Sequence, residues 1–164
     1  MSAIDAVTAV WNRLKTVDGI GPNVYNMVRA SISDDQFQSI FVDAALTPNR
    51  VQAWMVTREA TGAKDDELNA MSRTHQVVMY GYMGFQDNVS EPIFQQMVED
   101  VCAAFDSYAQ PTGSRLRRFV SDEFPMGQFD WSGPTQVESL KLGMFGNVLV
   151  HAARLVLPVR EFPL

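Results

Sequence analysis

One cysteine, Cys102, and two histidines, His75 and His151, are all the thiol and imidazole groups that 164 residues provide. A single thiol cannot close an intramolecular disulfide, nor anchor a zinc cluster by itself. No apolar run reaches the roughly 18 residues of a spanning helix, so no membrane partner is expected. The opening Met1-Ser-Ala-Ile-Asp-Ala-Val lacks the basic start and apolar core of a secretory signal, and synthesis in a reducing cytoplasm is expected. Positive charge is scarce too: 13 Lys and Arg stand against 19 Asp and Glu, a formal charge of −6. A protein that holds nucleic acid by neutralising phosphates needs a basic face, which argues against that class.

The familiar chemical motifs are also missing. Gly19-Ile-Gly-Pro-Asn-Val24 puts Val where a dinucleotide loop needs its third glycine. There is no Gly-Lys-Ser or Gly-Lys-Thr, no Gly-x-Ser-x-Gly elbow, no HExxH and no CxxC. No catalytic residue, metal or cofactor is expected, and the weight moves from enzymes toward a structural or assembly role.

What is present is an ordinary globular composition, 46% hydrophobic and 20% charged. A single α+β domain over 1–164 is expected, long enough to bury roughly two-thirds of its unfolded surface. Ile4, Val7, Trp11 and Leu14 recur at helical spacing; Ser2 with Asp5 fits a capping box, and Gly19 follows a basic last turn. Asn23 to Val28 suggests a short extended piece, and Ser33-Asp-Asp opens a short helix through Phe37, Ile40 and Phe41. Val51 to Arg58 and Arg73 to Tyr82 read as strands, an antiparallel pair with the long polar connection Glu59–Ser72 between them. Ser90-Glu-Pro starts the most secure helix, with Phe94, Met97, Val98, Val101, Phe105 and Tyr108 on one stripe.

Residues 109–134 hold three of the eight prolines (Pro111, Pro125, Pro134) and four large aromatics, Phe119, Phe124, Phe129 and Trp131. So long a loop is uncommon in a compact domain, and its aromatics are expected to dock on something. Gln136–Phe145 and Val148–Val159 then flank Gly146-Asn147, a pair that closes hairpins. Counting outward from that turn sets Phe145 opposite Val148, Leu142 opposite His151, Leu140 opposite Ala153 and Glu138 opposite Leu155. One face then shows Leu140, Leu142, Met144, Leu149, Ala153, Leu155 and Leu157. The other shows Val137, Phe145, Val148, Val150 and Val156, with Lys141 and Arg154 as diagonal neighbours. Helices cover only one face of a two-layer domain, so the second face wants the 109–134 segment or another subunit. The expected architecture is a mostly antiparallel four-stranded sheet with two main helices, in the order α-β-β-α-β-β.

Each isolated candidate has a plain reading beside its functional one. His75 and His151 could meet across the sheet and bind metal or move protons; the plain reading is a partly buried histidine with one hydrogen bond. Cys102, beside the apolar stripe, reads as a small buried hydrophobe. Asp65-Asp-Glu lacks the alternating spacing of a calcium loop and reads as a solvated tip. Tyr80-Gly-Tyr82 reads as core. Arg115-Leu-Arg-Arg118 is the one dense basic cluster; given the net charge, an acidic partner surface suits it better than DNA.

The element order, the segment Val17-Asp-Gly-Ile-Gly-Pro-Asn-Val24, the strand Arg73–Tyr82, the helix start Val89-Ser-Glu-Pro-Ile-Phe and the closing His151–Arg160 strand together resemble the tail terminator proteins of long-tailed bacteriophages. The resemblance implies a virion protein of the tail neck that forms a ring, most often of six copies. The ring caps the head-proximal end of the tail tube, ends tube polymerisation and joins the head connector, or stopper, protein. DNA would pass through its channel without specific binding, which acidity favours. Candidate contact residues are Lys141, Phe145, Val148, Val150 and Arg154 for subunits, and Arg115, Arg117, Arg118, Phe124, Phe129 and Trp131 for partners. The competing readings are another neck protein, a stopper or tail completion protein, and a small binding module or enzyme using His75 or His151.

Overall fold

The computed structural model describes residues 3–46, 49–65, 71–106, 118–119, 129–131 and 134–161. They form an α+β fold with three helices: α1 (Ala3–Leu14), α2 (Asp34–Phe41) and α3 (Ser90–Asp106). The strands are β1 (Val24–Tyr25), β2 (Val42–Asp43), β3 (Arg50–Asp65), β4 (Met71–Gly84), β5 (Arg118–Phe119), β6 (Phe129–Trp131), β7 (Gln136–Phe145) and β8 (Val148–Glu161). Six run side by side as β1-β3-β4-β8-β6-β5, while β2 and β7 pair with β3 and β8 over the remaining lengths. The four long strands β3, β4, β7 and β8 are mutually antiparallel, as expected from the sequence. The sheet as a whole is larger and mixed, because the short β1 joins β3 in parallel.

The polar stretch expected to be a connection is mostly strand. β3 continues through Asp65 and β4 begins at Met71, pairing Thr61 with His75 and Lys64 with Ser72. Arg58 to Gly62 are exposed where β3 forms the sheet edge, so they carry no apolar alternation to betray the strand. Ser2 of the expected capping box, Asp66 and Glu67 of the acidic tip, and Tyr108 of the stripe lie outside the described residues.

One core lies between the sheet and the helices α1 and α3. Ala6, Val10 and Leu14 from α1 and Phe94, Val98, Val101 and Phe105 from α3 meet Trp54, Val77, Met79, Leu155 and Leu157. Arg13 on α1 donates through Nε to the Ala104 carbonyl of α3 at 3.0 Å, tying the two helices together. The indole Nε1 of Trp11 donates to the Val24 carbonyl at 2.9 Å, which seats β1 beside α1.

A second, smaller cluster occupies the opposite face. Ser33 caps α2, its hydroxyl accepting from the Gln36 N–H. That places Ile40 and Phe41 against Val51, Ala53, Met55 and Val150, ringed by Tyr25, Phe37, Tyr82 and Phe145. The Phe145 ring stacks on Tyr82 at 4.5 Å and meets Phe41 edge-on at 4.6 Å. The second apolar face is therefore covered at this end by α2, an element internal to the domain.

At the centre, Trp54 of β3 stands directly opposite Gly81 of β4. Three atoms of its six-membered ring lie 2.6–2.8 Å from where a Cβ on Gly81 would stand. Gly81→Ala must push a fully buried indole out of place, and overpacking of this kind costs about 1–3 kcal/mol. Chemical denaturation is expected to show a loss in that range, whereas Gly143→Ala, which meets nothing within 4 Å, should change stability far less.

Candidate assembly surface

The closing hairpin turns at Gly146, whose φ of +63° is the glycine-first geometry of a type II′ turn. The counted register holds near the turn: Phe145 faces Val148, Leu142 faces His151 and Leu140 faces Ala153. It fails at Glu138. Leu155 pairs with Val137 and Arg154 with Ser139, so Glu138 is the extra residue of a bulge. Its carboxylate bonds the Arg154 guanidinium, which also grips Glu59 of β3, and the Tyr80 hydroxyl donates to Glu59. The Tyr80 hydrogen bond, with the Arg154 charge beside it, holds the Glu59 carboxyl below its ordinary range against some desolvation. Burial and the bond to Glu59 raise the Tyr80 phenol.

The bulge changes which residues share a face. Val137 moves onto the side of Leu140, Leu142 and Met144 and leaves that of Phe145. These four side chains are between 39% and 66% exposed, and Leu149 beside them is also exposed. They lie on the helix side of the sheet, where Leu140 and Leu142 border a small cleft with Glu91, Phe94 and Gln95 of α3. Among the described residues β7 pairs with β8 alone, so its outer backbone edge has no partner there. The uncovered apolar surface is thus on the opposite face from the one the sequence suggested.

The expected contact residues are spread widely. Val150 is buried and Phe145 half-buried, both packed within the chain against the α2 cluster. Val148 and Lys141 are exposed, and Arg154 is engaged by Glu59 and Glu138. The backbones of Arg118, Phe129 and Trp131 lie in β5 and β6, where Phe129 pairs with Glu161 and Trp131 with Val159. Arg115, Arg117 and Phe124 lie outside the described residues. The bulge and the bare β7 face are what sequence reading missed; the unmatched apolar count on β7 was a signal for the latter.

The histidines do not meet. His75 pairs with Val159 and His151 with Met83, eight positions apart along both strands, or roughly 26 Å. His75 is buried, its Nε2 2.7 Å from the Glu161 carboxylate and its Nδ1 2.9 Å from the Thr61 hydroxyl. His151 Nε2 lies 2.8 Å from the Ser90 hydroxyl, stacked on Phe94 and flanked by Phe85. That hydroxyl also donates to the Gln86 carbonyl and accepts from the Gln86 N–H. The Ser90 hydroxyl is thus shared between the Gln86 backbone and the His151 ring. Burial, with Asp106 and Glu99 nearby, pushes the Cys102 thiol up to about 11, so it stays protonated at neutral pH.

No family model matches this chain, and no curated protein does either.

Burial lowers the His151 pKa, opposed weakly by the Glu91 charge. Folded His151 therefore binds its proton less readily than in the unfolded chain. Its contribution to stability is complete above the unfolded value of about 6.5 and declines as pH falls toward and through the folded value. Denaturation of wild type and His151→Gln across that range is expected to give a flatter profile for the variant; parallel profiles would contradict the assignment.

Proposed function

We propose that this chain is a tail terminator of the long-tailed phage type, a structural protein acting as a ring of identical subunits at the head-proximal end of a tail tube. The observation that carries the reading is the exposed β7 face: Val137, Leu140, Leu142 and Met144 beside a strand edge that is unpaired among the described residues. A monomer gains nothing from four uncovered apolar side chains on an edge strand, and such edges invite pairing with another chain. Joining this edge to a different surface of the next copy is a head-to-tail contact, which closes into a ring when the rotation allows.

In such a ring, one rim would meet the tube and end its growth, and the other would meet the head connector or stopper. The aromatic and basic run holding Arg115, Arg117, Arg118, Phe124, Phe129 and Trp131 is assigned to those partner contacts, and Lys141 and Val148 to the subunit contact. A net charge of −6 favours a channel through which DNA passes without adhering. The Gln86 backbone contacts of the Ser90 hydroxyl and the raised pKa of Cys102 weigh against the alternative of a small hydrolase.

Light scattering with negative-stain imaging is expected to show rings of the purified protein, or rings formed on adding tube protein. Leu142→Asp with Met144→Asp should leave thermal unfolding nearly unchanged, both side chains being exposed, and abolish the ring. A wild-type chain that stays monomeric alone and with tube protein overturns the reading.

A further inference from the structure

A cleft of about 640 Å³ opens between the loop after α1, the β2–β3 corner and the first turns of α3. Its volume falls in the range of small-molecule sites. Asp43 lies at its back, 5% exposed, and Gln52 beside it is 4% exposed. Asp43 Oδ1 accepts the Ala45 N–H at 2.9 Å, while Oδ2 has no hydrogen-bond or ion-pair partner among the described residues. Gln52 donates through Nε2 to the Gly19 carbonyl at 2.6 Å, which ties it to the loop after α1.

A second observation concerns the space between these groups. Gly21, at a φ of +81°, carries no side chain where a Cβ would stand 3.2 Å from Asp43 Oδ2 and 3.1 Å from Gln52 Nε2. The glycine thus keeps the two polar side chains from being covered. The charges around them are uneven. Asp18 and Asp100 add two carboxylates at the rim, and Arg50, also lining the cleft, is turned to Gln86 Oε1 at 2.5 Å. Met83 and Met97, both buried, together with Leu46 and Ile93, supply an apolar wall.

Arg50, the cross-strand partner of Asp43, spends a guanidinium N–H on Gln86 and makes no ion pair with Asp43. A carboxylate with so little exposure and one backbone hydrogen bond among the described residues gains from a further cation. We propose that this cleft binds a primary alkylammonium group, an N–H donor on Asp43 Oδ2 and its hydrocarbon stem along Met83 and Met97. Two sources share that chemistry: a free small amine, and a lysine side chain from a second copy of this chain. No β7 residue lines the site, and it does not depend on the ring reading.

The test titrates the full chain with n-hexylamine by calorimetry near neutral pH, with 1-hexanol as the uncharged comparison. Saturable binding of the amine at least about tenfold tighter than the alcohol is expected, the scale of one charge-assisted hydrogen bond. Asp43→Asn, which retains an oxygen for the Ala45 N–H, should remove that advantage. Equal binding of the two probes, or no binding of the amine at millimolar concentration, overturns the proposal, and this comparison needs only the wild-type chain. Sedimentation with and without hexylamine then separates the sources: an assembly that the amine dissociates points to a neighbour's lysine, and an unchanged assembly points to a free amine.

Discussion

The packing of Trp54 over Gly81 is the constraint from which the rest of the domain is arranged. A buried indole fills the middle of the core because the strand opposite has no side chain there. β1 is placed by the same residue, since Val24 pairs with Trp54 and the Trp54 N–H donates to the Asn23 carbonyl. α1 and α3 then close over the ring and over Val77, Met79 and Leu155, burying one face of β3, β4 and β8. Those helices span three long strands. The fourth, β7, stands at the margin of the layer they form.

That geometry divides the apolar residues of the closing hairpin into two fates. Phe145 and Val150 face α2 and join a cluster that is complete within the chain. Leu140, Leu142 and Met144 face the helix side at the margin of α3 and stay exposed. The bulge at Glu138 adds Val137 to the exposed set, and the Tyr80–Glu59–Arg154–Glu138 network holds the bulged strand to β3 and β4. A structural protein that acts by shape requires such a surface, one that folding leaves unsatisfied and assembly can cover.

Much of this was legible wherever a local signal dictates local geometry. Gly146-Asn147 set the turn and the first pairs of the register, Ser33 set the start of α2, and the stripe from Phe94 to Phe105 set α3 and its buried face. The polar halves of β3 and β4 were not legible, because exposed edge residues carry no alternation and their pairing comes from their neighbours across the hairpin. The bulge was equally hidden, since it satisfies Glu138 through Arg154, a partner that sequence spacing does not indicate. For the candidate sites, the apolar excess on the hairpin could be counted, but not which face it would leave bare. The cleft around Asp43 draws on residues from 18 to 100 and has no sequence signature.

Composition and spacing alone therefore specify an acidic α+β domain, its main helices and its closing hairpin, because propensity, caps and turns act over a few residues. The tertiary structure alone decides that α2 covers one sheet face, that β7 pairs with β8 alone among the described residues, that the histidines stand far apart and that Asp43 is buried at a cleft. Those outcomes rest on contacts between segments tens of residues apart, where the reach of helices and the register of strands determine what meets what.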